Sequence, residues 1–149
     1  MSLRTDIVFV KALQSNEGLL ASLPAGGVYN PAIPMPEDDV ENAATPYIIV
    51  GLNGVQNDDS YKDNDFEGDT DHVQISIIVC AKSREQLGDL TEDVRLTIRE
   101  YFEEHQDDDS DPDFALIPQE MVFSAGSVNY DSRKPCFWQE LSYNCDTEP

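Results

Sequence analysis

His72-Val73-Gln74-Ile75-Ser76-Ile77-Ile78-Val79-Cys80-Ala81 runs directly into Lys82-Ser83-Arg84-Glu85-Gln86, and this junction decides the fold. Up to Ala81 the apolar residues alternate. Val73, Ile75, Ile77 and Val79 fall on one face of an extended chain, whose side chains point to opposite sides in turn. Ile78 and Cys80 make the other face apolar too, as expected for a central strand covered in part on both sides. From Ser83 the period becomes helical. Ser83 is an N-cap, and Gln86 three residues later completes a capping box. Leu87, Leu90, Val94, Ile98, Tyr101 and Phe102 form one stripe, so the helix is predicted through about Phe102. Glu85, Asp89, Glu92, Asp93, Arg95, Arg99 and Glu100 fill its other side.

Upstream, Tyr47-Ile48-Ile49-Val50-Gly51-Leu52 follows Pro46 and is β-branched and apolar, which predicts a second strand. The two strands are expected to pair antiparallel, with the acidic stretch 56–71 as an oversized hairpin loop. Residues 28–46 carry Pro31, Pro34, Pro36 and Pro46 and read as a long irregular connection, with Val28-Tyr29 as a short edge strand. A helix is expected from near Ser2 or Leu3, with Leu3, Ile7, Val10 and Leu13 as its apolar face. Asn16-Glu17-Gly18 interrupts it, and Leu19 to Leu23 adds a turn before Pro24.

Downstream, residues 107–113 form a loop. Strand-like pieces follow at Phe114 to Ser124, where Pro118 imposes an edge or a bend, and at Val128 to Tyr130. A last strand is expected from about Pro135 to Cys145, with Asp146-Thr147-Glu148-Pro149 as a frayed end. The order of elements predicts a single α+β domain spanning residues 1–149. Two helices lie on one face of an antiparallel or mixed sheet of about four to five strands.

The chain carries 30 acids against 9 lysines and arginines, a net charge of −21. Such a balance disfavours binding nucleic acid through its phosphates. Of the acids, 18 fall in three segments: 37–41, 57–71 and 103–113. Runs of this kind are ordinarily solvated loops. No apolar run approaches the roughly 20 residues of a membrane span, and the first residues lack the pattern of a secretory signal. Cys80, Cys136 and Cys145 are odd in number and lack C-x-x-C spacing, which argues against a disulfide framework or a zinc site.

No catalytic constellation emerges. His72 and His105 are the two histidines, and neither has a serine or cysteine partner in a recognisable arrangement. Gly-rich phosphate loops are absent. Asp63-Asn64-Asp65-Phe66-Glu67-Gly68 imitates the start of a calcium loop, but Gln74 stands where the bidentate Glu belongs and a strand, not a helix, follows. No cofactor, metal or enzymatic activity is therefore expected.

The succession of elements nonetheless has a pattern. An N-terminal helix ends in a Leu-rich turn and Gly26-Gly27-Val28-Tyr29, and a Pro-rich connection leads to Pro46-Tyr47-Ile48-Ile49-Val50. A strand then ends Val79-Cys80-Ala81-Lys82-Ser83-Arg84-Glu85, a helix carries Asp93-Val94-Arg95, and a late strand holds Phe137-Trp138-Gln139-Glu140. Over nearly the whole chain this resembles the tail-terminator, or tail-completion, proteins of siphophages and prophages. The connections at 28–46 and 56–71 are longer than usual there, and the chain more acidic. The resemblance implies a homo-oligomeric ring, a hexamer favoured, that ends the tail tube and meets head-side connector proteins. It implies host cytoplasm during assembly and the virion tail afterwards. Asp58, Asp59, Asp63, Asp65, Glu67, Asp69 and Asp71 are then candidates for an acidic lumen or interface loop. Two rivals stand beside this expectation: a head-closure or connector-adaptor neck protein, and an acidic module that binds a basic protein.

Overall fold

The computed structural model describes residues 2–24, 27–30, 45–57, 70–106, 120–133 and 135–147. Most of the 28–46 connection, the acids at 37–41 and 107–113, and the expected strand residues 114–119 lie outside them.

A short 3-10 turn, Ser2–Arg4, leads into helix α1, Thr5–Gln14, and then α2, Glu17–Ala21. Asn16 separates the two and caps the second, its side chain accepting a hydrogen bond from the Leu19 amide at 3.1 Å. Its amide group also donates to Thr97 Oγ1 at 2.9 Å, which ties the break to the long helix α3, Arg84–His105. The expected capping box is present there. The Gln86 amide donates to Ser83 Oγ at 3.1 Å, and Gln86 Oε1 accepts from the Lys82 amide at 2.9 Å.

Six strands form one sheet: β1 Val28–Tyr29, β2 Tyr47–Asn57, β3 Asp71–Ala81, β4 Glu120–Ala125, β5 Asn129–Asp131 and β6 Cys136–Thr147. Their order is β1-β2-β3-β6-β4, with β5 also on β6. β1 runs parallel to β2; every other pairing is antiparallel. Ala125 stands opposite Leu141 and Asn129 opposite Trp138, so β4 and β5 lie end to end along one side of β6 with a single extra residue between them. That bulge explains why six strands fill five columns, where about four to five were expected.

All three helices pack on one face, giving a two-layer α+β fold. Val8, Phe9, Ala12 and Leu13 of α1, Leu19 of α2 and Leu87, Leu90, Val94, Ile98 and Phe102 of α3 share one buried cluster with the inward residues of the sheet. Those are Ile48 and Val50 of β2, Val73 to Val79 in alternation on β3, and Leu141, Tyr143 and Cys145 of β6. Burying each large aliphatic or aromatic side chain here contributes about 1.5–3 kcal/mol. The Phe9 ring meets Phe102 edge-on at 5.1 Å and Tyr143 at 5.3 Å, joining both layers.

Five expectations need correction. The apolar face of α1 is only partly the expected Leu3, Ile7, Val10 and Leu13: Leu13 is buried and Val10 packs against the core, but Leu3 is 72% exposed, and Val8, Phe9 and Ala12 complete the buried face. Ile7 to Val10 are four apolar residues in a row, so periodicity alone could not choose the face. There are three helices, not two, because Asn16 divides the first. α3 continues to His105, which makes Glu103 and Glu104 helical, not part of a loop. Gln56, Asn57 and Asp71 extend β2 and β3 into the supposed hairpin loop. Asp146 and Thr147 close β6 and do not fray, because their backbones pair with His72 and Asp71. Among the described residues, no helix is long and apolar enough to cross a membrane.

Candidate assembly surface

The sheet face opposite the helices is organised in rows read across the strands. Gly51, Ser76, Ser142 and Ser124 form one; Gly54, Gln74, Asn144 and Val122 the next; Gln56, His72, Asp146 and Glu120 the third. The last two rows line an open groove of about 450 Å³. Its β2 wall is low because Gly51 and Gly54 flank an irregularity in the ladder, and a Cβ at either would meet nothing within 4 Å. Glycine weakens a strand interior, and where it persists a bulge or a close approach is the usual reason.

In the groove His72 Nδ1 and Asp146 Oδ1 are 2.6 Å apart. Within β3 the next hydroxyl on this face, Ser76, lies four residues along from His72, roughly 13 Å away. Among the described residues, no group of three or more His, Cys, Asp or Glu is placed to hold a metal ion. The opposite end of this face is apolar. Tyr47, Cys80 and Cys136 are buried there, separate from the main cluster. Desolvation, with a smaller contribution from its hydrogen bond to Cys80, raises the Tyr47 hydroxyl far above its ordinary value. All three cysteines are buried thiols outside any disulfide. Burial, then the nearby Asp146 carboxylate, pushes the Cys145 thiol up to about 12.

Of the acidic-loop candidates, Asp58, Asp59, Asp63, Asp65, Glu67 and Asp69 lie outside the described residues. Asp71 is not a loop residue. It opens β3, is 8% exposed, and accepts a hydrogen bond from Asn57 Nδ2 at 2.7 Å. It therefore secures the closing end of the β2–β3 pair and is not displayed to solvent.

The sheet edges were read in part: β1 is the edge strand expected at Val28-Tyr29, and β4 lies in the piece that Pro118 marked as an edge or a bend, but the open stretch of β2 was missed. Among the described residues β4 pairs only with β6, and Val122 is 64% exposed. Residues 121–130 contain no charge, and neither do residues 47–57. In a chain of net charge −21, β4 ends the sheet on one side and, among the described residues, the part of β2 beyond β1 borders it on the other. Edge strands of monomeric proteins are ordinarily blunted by lysine, proline or inward charge. Beyond Glu120, β4 has only the bulge that ends it. The charge-free run was visible in the sequence, and Pro118 pointed to an edge for β4, but the short reach of β1 along β2 was not visible.

Compared with known proteins, the chain matches no family model and no curated sequence.

Proposed function

We propose that this chain is a structural assembly protein of the tail-terminator kind, which closes into a ring, most simply a hexamer, and caps a tail tube at its junction with head-side connector proteins. The observation that carries this reading is the uncharged β4 edge, which among the described residues has a strand on one side only, on a strongly acidic chain. Self-repulsion opposes contact nearly everywhere, and the bare backbone donors and acceptors of β4 invite it at one place. The order of elements, which resembles that of tail-terminator proteins, supports the same conclusion.

The test is the absolute mass in solution by light scattering, over a range of protein concentrations and with and without magnesium. A mass of six subunits, or one that climbs towards six as protein or magnesium is raised, supports the ring. A monomer under every condition counts against it and favours a neck adaptor or an acidic binding module.

A further inference from the structure

The two uncharged edges have matching positions. β4 spans the rows that hold β2 from Val50 to Gln56, since Ala125, Phe123, Met121 and Glu120 stand in line, through β6 and β3, with Val50, Leu52, Val55 and Gln56. On the other side of the sheet, β1 covers β2 only at Ile48 and Ile49. Among the described residues, the stretch of β2 beyond Val50 has no strand beside it. Strand directions alternate from β2 through β3 and β6 to β4, so a neighbour that simply continues the sheet meets β4 with its own β2 running antiparallel.

We propose that β4 of one copy pairs, antiparallel, with the Gly51–Asn57 stretch of β2 in the next copy, head to tail. This rests on the ring-forming reading above and specifies its contact. The row that ends in Val122 begins at Gly54. Continuing it places the exposed Val122 side chain over a residue that has none and has open space above it. Neither strand brings a charge to the centre of the contact; Glu120 at one end faces Gln56, not another carboxylate. The bulge after Ala125 is where the incoming strand must leave the plane, because β1 occupies the remainder of that edge. A head-to-tail contact of two different surfaces generates a ring when its rotation closes, whereas a two-fold contact of β4 with itself would stop at a dimer.

The experiment is cross-linking of the full chain carrying Val122→Cys together with Gly54→Cys, using a short bismaleimide without denaturant. The three native cysteines are buried and stay unlabelled. Directly opposed Cβ atoms in such a pair are about 4.5–5.5 Å apart, so the double variant is expected to give a ladder of covalent oligomers that ends at the ring number. Each single variant is expected to give none. A dimer from Val122→Cys alone would overturn the head-to-tail pairing in favour of a two-fold one. Absence of a ladder from a protein that light scattering shows to be oligomeric sinks the edge contact and leaves the ring; absence of a ladder from a strict monomer sinks both. As a second measure, Val122→Lys should raise the concentration for half-assembly at least tenfold, and adding Gly54→Glu should restore it. No recovery in the double variant refutes the opposition of these two residues.

Discussion

The guanidinium carbon of Arg95 lies 4.2 Å from the centroid of the Phe123 ring. This contact reaches from α3 across to β4, and Phe123 in turn packs on Tyr143 at 5.2 Å. β4 is held to the sheet by one neighbouring strand, so the cation over its inward face steadies the edge on which assembly is proposed to depend. Arg95→Ala should lower stability by about 0.5–1 kcal/mol, the range for a cation–π contact at an exposed site. It should also speed hydrogen exchange at Met121 to Ser124 more than in β3. Uniform exchange across the sheet would show that the contact has no special hold on β4.

The Tyr143 hydroxyl is buried with no hydrogen-bond partner among the described residues, while its ring packs on those of Phe9 and Phe123. A buried, unsatisfied polar group costs about 1–3 kcal/mol. Tyr143→Phe keeps the ring contacts and removes the hydroxyl, so urea denaturation should show equal or greater stability. Phe9→Ala, which empties the junction of the two layers, should lose about 3–5 kcal/mol. A clear loss in Tyr143→Phe would mean that a bound water or a shifted side chain satisfies the oxygen in solution.

High pH should unfold the protein through its buried acids. Burial raises the thiol of Cys145 from 9.0 to about 12 and the hydroxyls of Tyr143 and Tyr47 in the same direction from 10.0. Each group keeps its proton longer folded than unfolded, so its contribution is full below the ordinary value and is lost as pH rises towards the folded one. Stability should therefore fall progressively above about pH 9, followed by denaturant titration at each pH. At pH 8, a thiol reagent should label none of the three cysteines in the folded protein and all three in denaturant. Rapid labelling of any thiol under native conditions contradicts the packing described.

Gly27 has a φ of +22°, and a Cβ placed on it would collide with Leu23. Its carbonyl accepts the Ile48 amide at 2.7 Å, which sets the start of β2 against β1. Gly27→Ala should cost at least about 1–2 kcal/mol and loosen β1, read as loss of exchange protection at Ile48. An unchanged melting temperature would show that this turn relaxes without cost.

The centre of the fold was legible because its residues repeat. β3 alternates from Val73 to Val79, α3 carries a stripe from Leu87 to Phe102, and Ser83 with Gln86 marks the boundary chemically. What was not legible depends on partners distant in sequence. Asn57, Asp71, Asp146 and Thr147 are polar and looked like loop or tail, yet ladder bonds are made by the backbone and are indifferent to side-chain polarity. The inward face of α1 is chosen by what α3 and β2 leave open, which a run of four apolar residues does not encode. The His72–Asp146 pair joins residues 74 apart, so no spacing rule could have found it. The acidic segments were plain in the sequence. The edges were legible in part, from the brevity of Val28-Tyr29 and from Pro118, but how much of β2 stays uncovered acquires meaning only once strand order is known.

The placement of β6 between β3 and β4 also has a consequence in time. β3 is emitted from the ribosome next to β2, but its second neighbour, Cys136–Thr147, is made more than fifty residues later. At common synthesis rates that interval is on the order of several seconds, during which the most apolar strand of the chain has one side unpaired. Much of the sequence made meanwhile is carboxylate-rich. Like charge on the part of the chain made in that interval opposes contact between two half-built sheets.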